Sequence, residues 1–122
     1  MPLERRDPAY LWDMLQAAKS VLEFTRGTAY EDYAQDEMLQ AAVERKVEII
    51  GEAARRVSRA FQMEHSEIPW SQMAAQRNVI IHEYDRLDAV RIWELVTRHL
   101  PRLVEQLAPL IPEPPPDPEP GP

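Results

Sequence analysis

Residues 36–61 read DEMLQAAVERKVEIIGEAARRVSRAF. Leu39, Val43, Val47, Ile50, Ala54, Val57 and Phe61 recur in steps of three or four, which places them on one stripe of an α-helix. Charged residues fill the opposite face, and Asp36 stands where an N-cap would accept from the first turn. A helix of this length with a single apolar stripe must bury the stripe against other helices, so the stretch predicts an all-α fold. Gly51 lies inside it, at a cost of about 1 kcal/mol against alanine. The ordinary reading is close packing of another helix over Gly51, Ala53 and Ala54, and close approach of a partner chain is the functional alternative. Glu52 and Arg56, four apart, read as a solvated pair.

On the N-terminal side, residues 8–26 predict a first helix. Pro8 suits its first turn, Leu11, Met14 or Leu15, Ala18, Leu22 and Thr25 keep helical spacing, and Gly27 is a natural stop. Thr28 to Gln35 reads as a loop with room for one helical turn. On the C-terminal side, His65 to Pro69 breaks the pattern, and Pro69 opens a third helix through Trp70, Met73 and Ala74 towards Arg77. Asp88 as N-cap, with Leu87 packing on Ile92, opens the last helix. Its stripe runs through Ala89, Ile92 or Trp93, Val96, Leu100, Leu103 or Val104, Leu107 and Leu110, and Pro101 should kink or split it. The predicted architecture is an up-and-down four-helix bundle with short extra helical turns.

Composition limits the function. The 122 residues suit one domain, assigned to 1–111. Pro112 to Pro122 holds seven prolines in eleven residues and reads as a disordered, acidic tail. The absence of cysteine excludes disulfides and thiolate metal sites and suits a reducing cytoplasm. No apolar run approaches the roughly 20 residues of a membrane span, and Met1 to Asp7 lacks the apolar core of a secretory signal. The expected location is cytoplasmic, with no membrane partner. The tail carries three of the seven net negative charges, leaving −4 on residues 1–111. That balance argues against broad nucleic-acid binding but leaves Arg45, Lys46, Arg55, Arg56, Arg59 and Arg77 able to build a small basic cleft.

Metal chemistry finds no support in the pattern. A di-iron bundle needs Glu-x-x-His pairs, and the residues three before His65, His82 and His99 are Gln62, Val79 and Val96. No glycine-rich phosphate loop exists among three glycines, so no cofactor is predicted. His99 lies on the apolar stripe and reads as packed or at its boundary. His65 reads as surface.

The remaining chemistry sits in Arg77-Asn78-Val79-Ile80-Ile81-His82-Glu83-Tyr84. Arg77 and His82, five apart, fall roughly 140° from one another on an unbroken helix. The spacing predicts a helix that carries Arg77 and loosens around His82 at a polar corner. An arginine's planar fork stabilises phosphoryl charge. A histidine near neutral pKa moves protons to and from a 2′-hydroxyl or a leaving 5′-oxygen. Together they suffice for metal-independent RNA cleavage, and Asn78 could orient either. By themselves an arginine and a histidine at a helix end are more often solvated or structural than catalytic.

Arg77-x₄-His82-x-Tyr84 resembles the extended Arg-x₄₋₆-His signature of HepT-like toxins in the HEPN ribonuclease superfamily. The likeness extends to Asp7-Pro8-Ala9-Tyr10-Leu11, Ile49-Ile50-Gly51-Glu52-Ala53, Ile68-Pro69-Trp70 and the helix from Asp88 to Leu103, over about residues 5–111. The resemblance implies a homodimer in which two motifs meet across a cleft, with catalytic Arg77 and His82 and supporting Asn78. It implies an RNA substrate and the toxin role of a type VII-like toxin–antitoxin pair. The partner it implies is a minimal nucleotidyltransferase that neutralises the toxin by adding AMP to Tyr84. The alternative is a non-catalytic dimeric helical subunit that binds or regulates such a nucleotidyltransferase.

Overall fold

In the computed structural model, which describes residues 2–82 and 89–111 and only the backbone at 2–5 and 79–82, the long stripe forms a helix. Asp36 caps it as its position predicts, its Oδ1 accepting from the Leu39 N–H at 3.0 Å. This helix, α3 (Glu37–Arg56), follows α1 (Pro2–Phe24) and a six-residue α2 (Tyr30–Gln35). After it come α4 (Arg59–Glu64), α5 (Trp70–His82), α6 (Ala89–Glu94) and α7 (Leu100–Leu107), with a π-helical turn at Leu95–His99 and a 3₁₀ turn at Ala108–Leu110. Among the described residues there is no strand. The long helices pack in sequence order, α1 on α3 and α3 on α5, and α7 returns to α1. The all-α bundle is the predicted one.

Its core is the predicted stripes brought together. Leu11, Met14 and Val21 of α1 meet Val43, Val47, Ile50 and Ala54 of α3, with Met73 of α5 and Ile92, Val96, Leu100, Leu103 and Leu107 closing the set. Burial of this kind stabilises by roughly 1.5–3 kcal/mol per large side chain. No described helix is long and apolar enough to cross a membrane.

Several boundaries differ from the prediction. The first helix begins at Pro2, so Pro8 lies inside it rather than in its first turn. A proline there removes one backbone bond close to a helix end, where least is lost. The helix ends at Phe24, and Gly27 follows at φ 71° as the left-handed stop. The segment read as a loop contains α2 because Tyr33 is fully buried, its ring 4.9 Å from that of Trp93. Gln40 Nε2 also donates to the Tyr33 carbonyl at 2.8 Å.

The stripe read as one helix to Phe61 is two helices. The chain turns extended at Val57, and Ser58 caps α4 by accepting from Phe61 N–H at 3.3 Å. Asp7 explains the break. Buried at the base of α1, it accepts from Ser58 N–H at 2.8 Å and from the Ser58 hydroxyl at 2.6 Å. Gln62 Nε2 serves the freed carbonyls, donating to Ala54 and Val57 at 3.1 and 2.9 Å.

Pro69 directly precedes α5, its carbonyl accepting from Met73 N–H at 3.0 Å. Pro101 splits the last helix as expected, and the form is the π-helical turn just before it. Proline crowds the carbonyl four residues back, and widening the turn relieves that contact. The wider turn also swings His99 off the predicted stripe, and it is exposed. His65 is half-buried against Phe61, ring centroids 4.4 Å apart, rather than plain surface. The Asp88 cap, the Leu87 contact, Tyr84 and the 112–122 tail lie outside the described residues.

Candidate active site

Gly51 sets the geometry. A Cβ built there would lie 2.5 Å from Arg77 Cβ and 2.6 Å from the Met73 carbonyl oxygen. The glycine is therefore the point where α5 crosses α3 in close contact, as the intrachain reading of Gly51 predicts. With backbones this close, the residue after Gly51 is in reach of Arg77.

That residue is Glu52. Its Oε2 lies 2.8 Å from Arg77 Nε, with both side chains about three-quarters buried (25% and 29% exposed). The same carboxylate pairs with Arg56 Nε at 2.7 Å and Arg55 Nη2 at 3.2 Å. Glu52 was read from sequence as half of a solvated pair with Arg56. It is instead shared by three guanidiniums, one of them on a different helix. Arg56 foremost, with Arg55 and Arg77, holds its carboxyl below the usual glutamate range against the opposing effect of burial. Arg55 and Arg56 donate hydrogen bonds to the carboxylate, whereas Arg77 acts on it as an ion pair through its charge, and the exposed Arg55 and Arg56 arms contribute little to stability by themselves.

Asn78, exposed on the next position of α5, accepts from Arg77 Nη1 at 3.3 Å. Arg77 is thus held at its Nε edge by Glu52 and touched at one end by Asn78.

His82 belongs to the same helix. The described part of α5 is helical through His82, so the expected loosening does not occur up to that residue. Arg77 and His82 consequently keep register positions roughly 140° apart on one helix. A single copy of the chain does not place the two positions on one helix face.

Beside Arg77 a cleft of about 350 Å³ opens between α1 and α3. Tyr10 and Asp13 line it from α1, and Arg45, Glu52 and Arg56 from α3. Burial pushes the Asp13 carboxyl up from its usual value. Glu48 lines the cleft too, so Asp13, Glu48 and Glu52 face Arg45, Arg56 and Arg77, and the cleft is mixed in charge rather than the small basic one that the sequence left open.

A family model described as Ribonuclease HepT-like matches residues 14–110. The chain belongs to the HepT-like ribonuclease family. The match takes in α3, α5 and the whole of the cleft except Tyr10 and Asp13. Among relatives, a probable ribonuclease HepT of Thermococcus cleftensis is 39% identical over 101 residues, covering 83% of this chain and 92% of that protein. A candidate RNase of Methanocaldococcus jannaschii is 34% identical over 106 residues, covering 86% and 97%. Another, from Caldanaerobacter subterraneus, is 36% identical over 98 residues, covering 80% and 88%. No solved structure matches the chain. The HepT-like membership suggested by the Arg77-to-Tyr84 motif is thereby established over most of the bundle.

Within this HepT-like chain, the structure places Arg77 and Asn78 side by side and adds Glu52, to which the sequence reading gave no part in the site. The signals for it were its position next to Gly51 and its place in the family-like step Ile49-Ile50-Gly51-Glu52-Ala53. A carboxylate following a helical glycine sits where a second helix comes closest. Nothing in the spacing along α3 says which residue of that second helix it meets.

Proposed function

We propose that this HepT-like chain is a metal-independent endoribonuclease acting through Arg77 and His82, with Asn78 in support. The observation that carries the reading is Arg77, the arginine of the Arg-x₄-His-x-Tyr motif, paired with Glu52 at 2.8 Å where α5 crosses α3 at the edge of a cleft. The 2′-oxygen of the RNA attacks the adjacent phosphorus, the bond to the 5′-oxygen breaks, and a cyclic phosphate and a 5′-hydroxyl result. The 2′-hydroxyl proton leaves to one imidazole, and the departing 5′-oxygen takes a proton from an imidazolium. Arg77 neutralises the charge that builds on the phosphoryl oxygens between these events.

The register separation of Arg77 and His82 favours a homodimer. In it, Arg77 of one copy and His82 of the other serve one phosphate, and a second His82 is at hand for the second proton transfer. In the cell the activity is that of a toxin. A cognate minimal nucleotidyltransferase silences it by joining the Tyr84 phenol oxygen to the α-phosphorus of ATP, with pyrophosphate leaving. The adduct sets bulk and negative charge two residues from His82 and repels RNA.

The test is His82→Ala. Loss of one acid–base group removes roughly 10²–10⁴-fold in rate, so purified His82→Ala is expected to retain its helical signal and lose RNA cleavage and growth arrest together. Cleavage at the parental rate overturns the mechanism. Intact-mass measurement after co-expression with a nucleotidyltransferase then reads the modification, expected as whole AMP units on the Tyr84 peptide. A parent that is harmless when expressed alone, without the nucleotidyltransferase, supports the non-catalytic subunit instead.

A further inference from the structure

We infer that Glu52 is the positioning residue of the site, holding the Arg77 guanidinium at its Nε edge so that its outer end faces the RNA phosphate; this rests on the ribonuclease reading above. Arginine has many rotamers, and among the described side chains of its own helix the contact recorded for Arg77 is the 3.3 Å one with the adjacent Asn78. The restraint comes from across the helix crossing. Gly51 lets α5 approach until an added Cβ would lie 2.5 Å from Arg77 Cβ, and the next residue supplies a carboxylate 2.8 Å from Arg77 Nε.

A carboxylate beside a phosphate-binding arginine ordinarily cancels its charge. Here Arg55 and Arg56 pair with the same carboxylate, both at Oε1. Glu52 with its three arginines is net cationic, an excess that Asp13 and Glu48 at the same cleft partly offset, so Glu52 fixes geometry without cancelling the Arg77 charge alone. Glu52 is a poor candidate for general base. Its three partners hold it in the carboxylate form below the usual glutamate range, far from the near-neutral value that suits proton transfer. It acts through Arg77.

The experiment combines kinetics with a structural readout on the intact chain. Against a defined oligoribonucleotide, Glu52→Ala is expected to lower kcat roughly 10- to 100-fold with little change in KM, since misplacement by an ångström has that effect. Glu52→Gln, which keeps an acceptor but not the charge, should recover part of the loss. In an Arg77→Ala background, Glu52→Ala should cost nothing further. If the two losses multiply, or if Glu52→Gln and Glu52→Ala both match the parent, the assignment fails. A fall in kcat that only follows the folded fraction in thermal melts also overturns it. The Arg77 Nε–H resonance judges the clamp independently of activity. Its chemical shift should differ between the parent and Glu52→Ala, and a signal unmoved by that substitution refutes the clamp. A parent with an intact resonance but no RNA cleavage refutes the ribonuclease reading instead.

Discussion

Tyr33 is fully buried, and among the described residues its hydroxyl has no hydrogen-bond partner. Burial, with Glu44 and Tyr30 nearby, pushes the phenol up, so it stays protonated throughout the physiological range. A buried hydroxyl without a partner typically costs about 1–3 kcal/mol, while the ring gains from Trp93 at 4.9 Å. Tyr33→Phe is therefore expected to leave the melting temperature unchanged or raise it, and a clear fall in a thermal melt would sink the idea. Glu52 makes the opposite prediction at the same scale. Its folded-state pKa is depressed, so its contribution to stability is present at neutral pH. That contribution begins to fade as pH falls below about 4.3, the free glutamate value, and is gone below the folded pKa. Denaturant melts from pH 7 to 3 should show the parent losing this increment and Glu52→Gln lacking it throughout. Parallel curves for the two proteins would contradict it. Neither residue announced itself in the sequence. Tyr33 sat in a polar stretch read as a loop, and Glu52 looked like half of an exposed i,i+4 pair.

At the scale of elements, the apolar stripes were legible because helical period alone carries them, and Asp36, Gly27 and Pro101 punctuate as their chemistry requires. The break after Arg56 was not legible. Val57 and Phe61 continue the α3 spacing, and only Asp7, fifty-one residues from Ser58, converts that continuation into a cap and a new helix. Periodicity is a local signal, whereas this stop is set by a side chain from another helix. The crossing of α3 and α5 is testable at Gly51. Alanine in an open helix would gain up to about 1 kcal/mol in propensity. Here the added carbon meets a backbone oxygen at 2.6 Å, which cannot rotate away. Overpacking of this kind typically costs about 1–3 kcal/mol, so Gly51→Ala should lower stability and also displace Arg77, reducing cleavage more than the folded fraction explains. A Gly51→Ala protein with unchanged melting temperature and activity would show that the crossing is looser than described.

At the scale of the whole molecule, charge is the feature that bears on RNA. The chain is −7 overall, and three of those charges lie in residues 112–122. Among the described residues the last fully buried side chain is Leu107, with Leu110 and Ile111 packed partly against the core. We propose residues 1–111 as the folding unit. Ending the chain at Ile111 should then keep the melting temperature within about 2 °C while tightening RNA binding at low salt and leaving it unchanged at high salt. A drop of several degrees would mean that the tail packs on the bundle.

The sequence by itself determined the all-α class, the apolar faces and the family likeness, and it proposed Arg77, Asn78, His82 and Tyr84 as candidates, because each rests on short-range period or on residue chemistry at fixed spacing. It determined nothing about what meets Arg77. Only the tertiary structure brought Glu52 to its Nε edge and made Gly51 the reason that it fits. The same structure turned Asp7 into the stop that ends α3. Those contacts join residues 25 and 51 positions apart in the chain, and they depend on where two helices cross rather than on the pattern within either one.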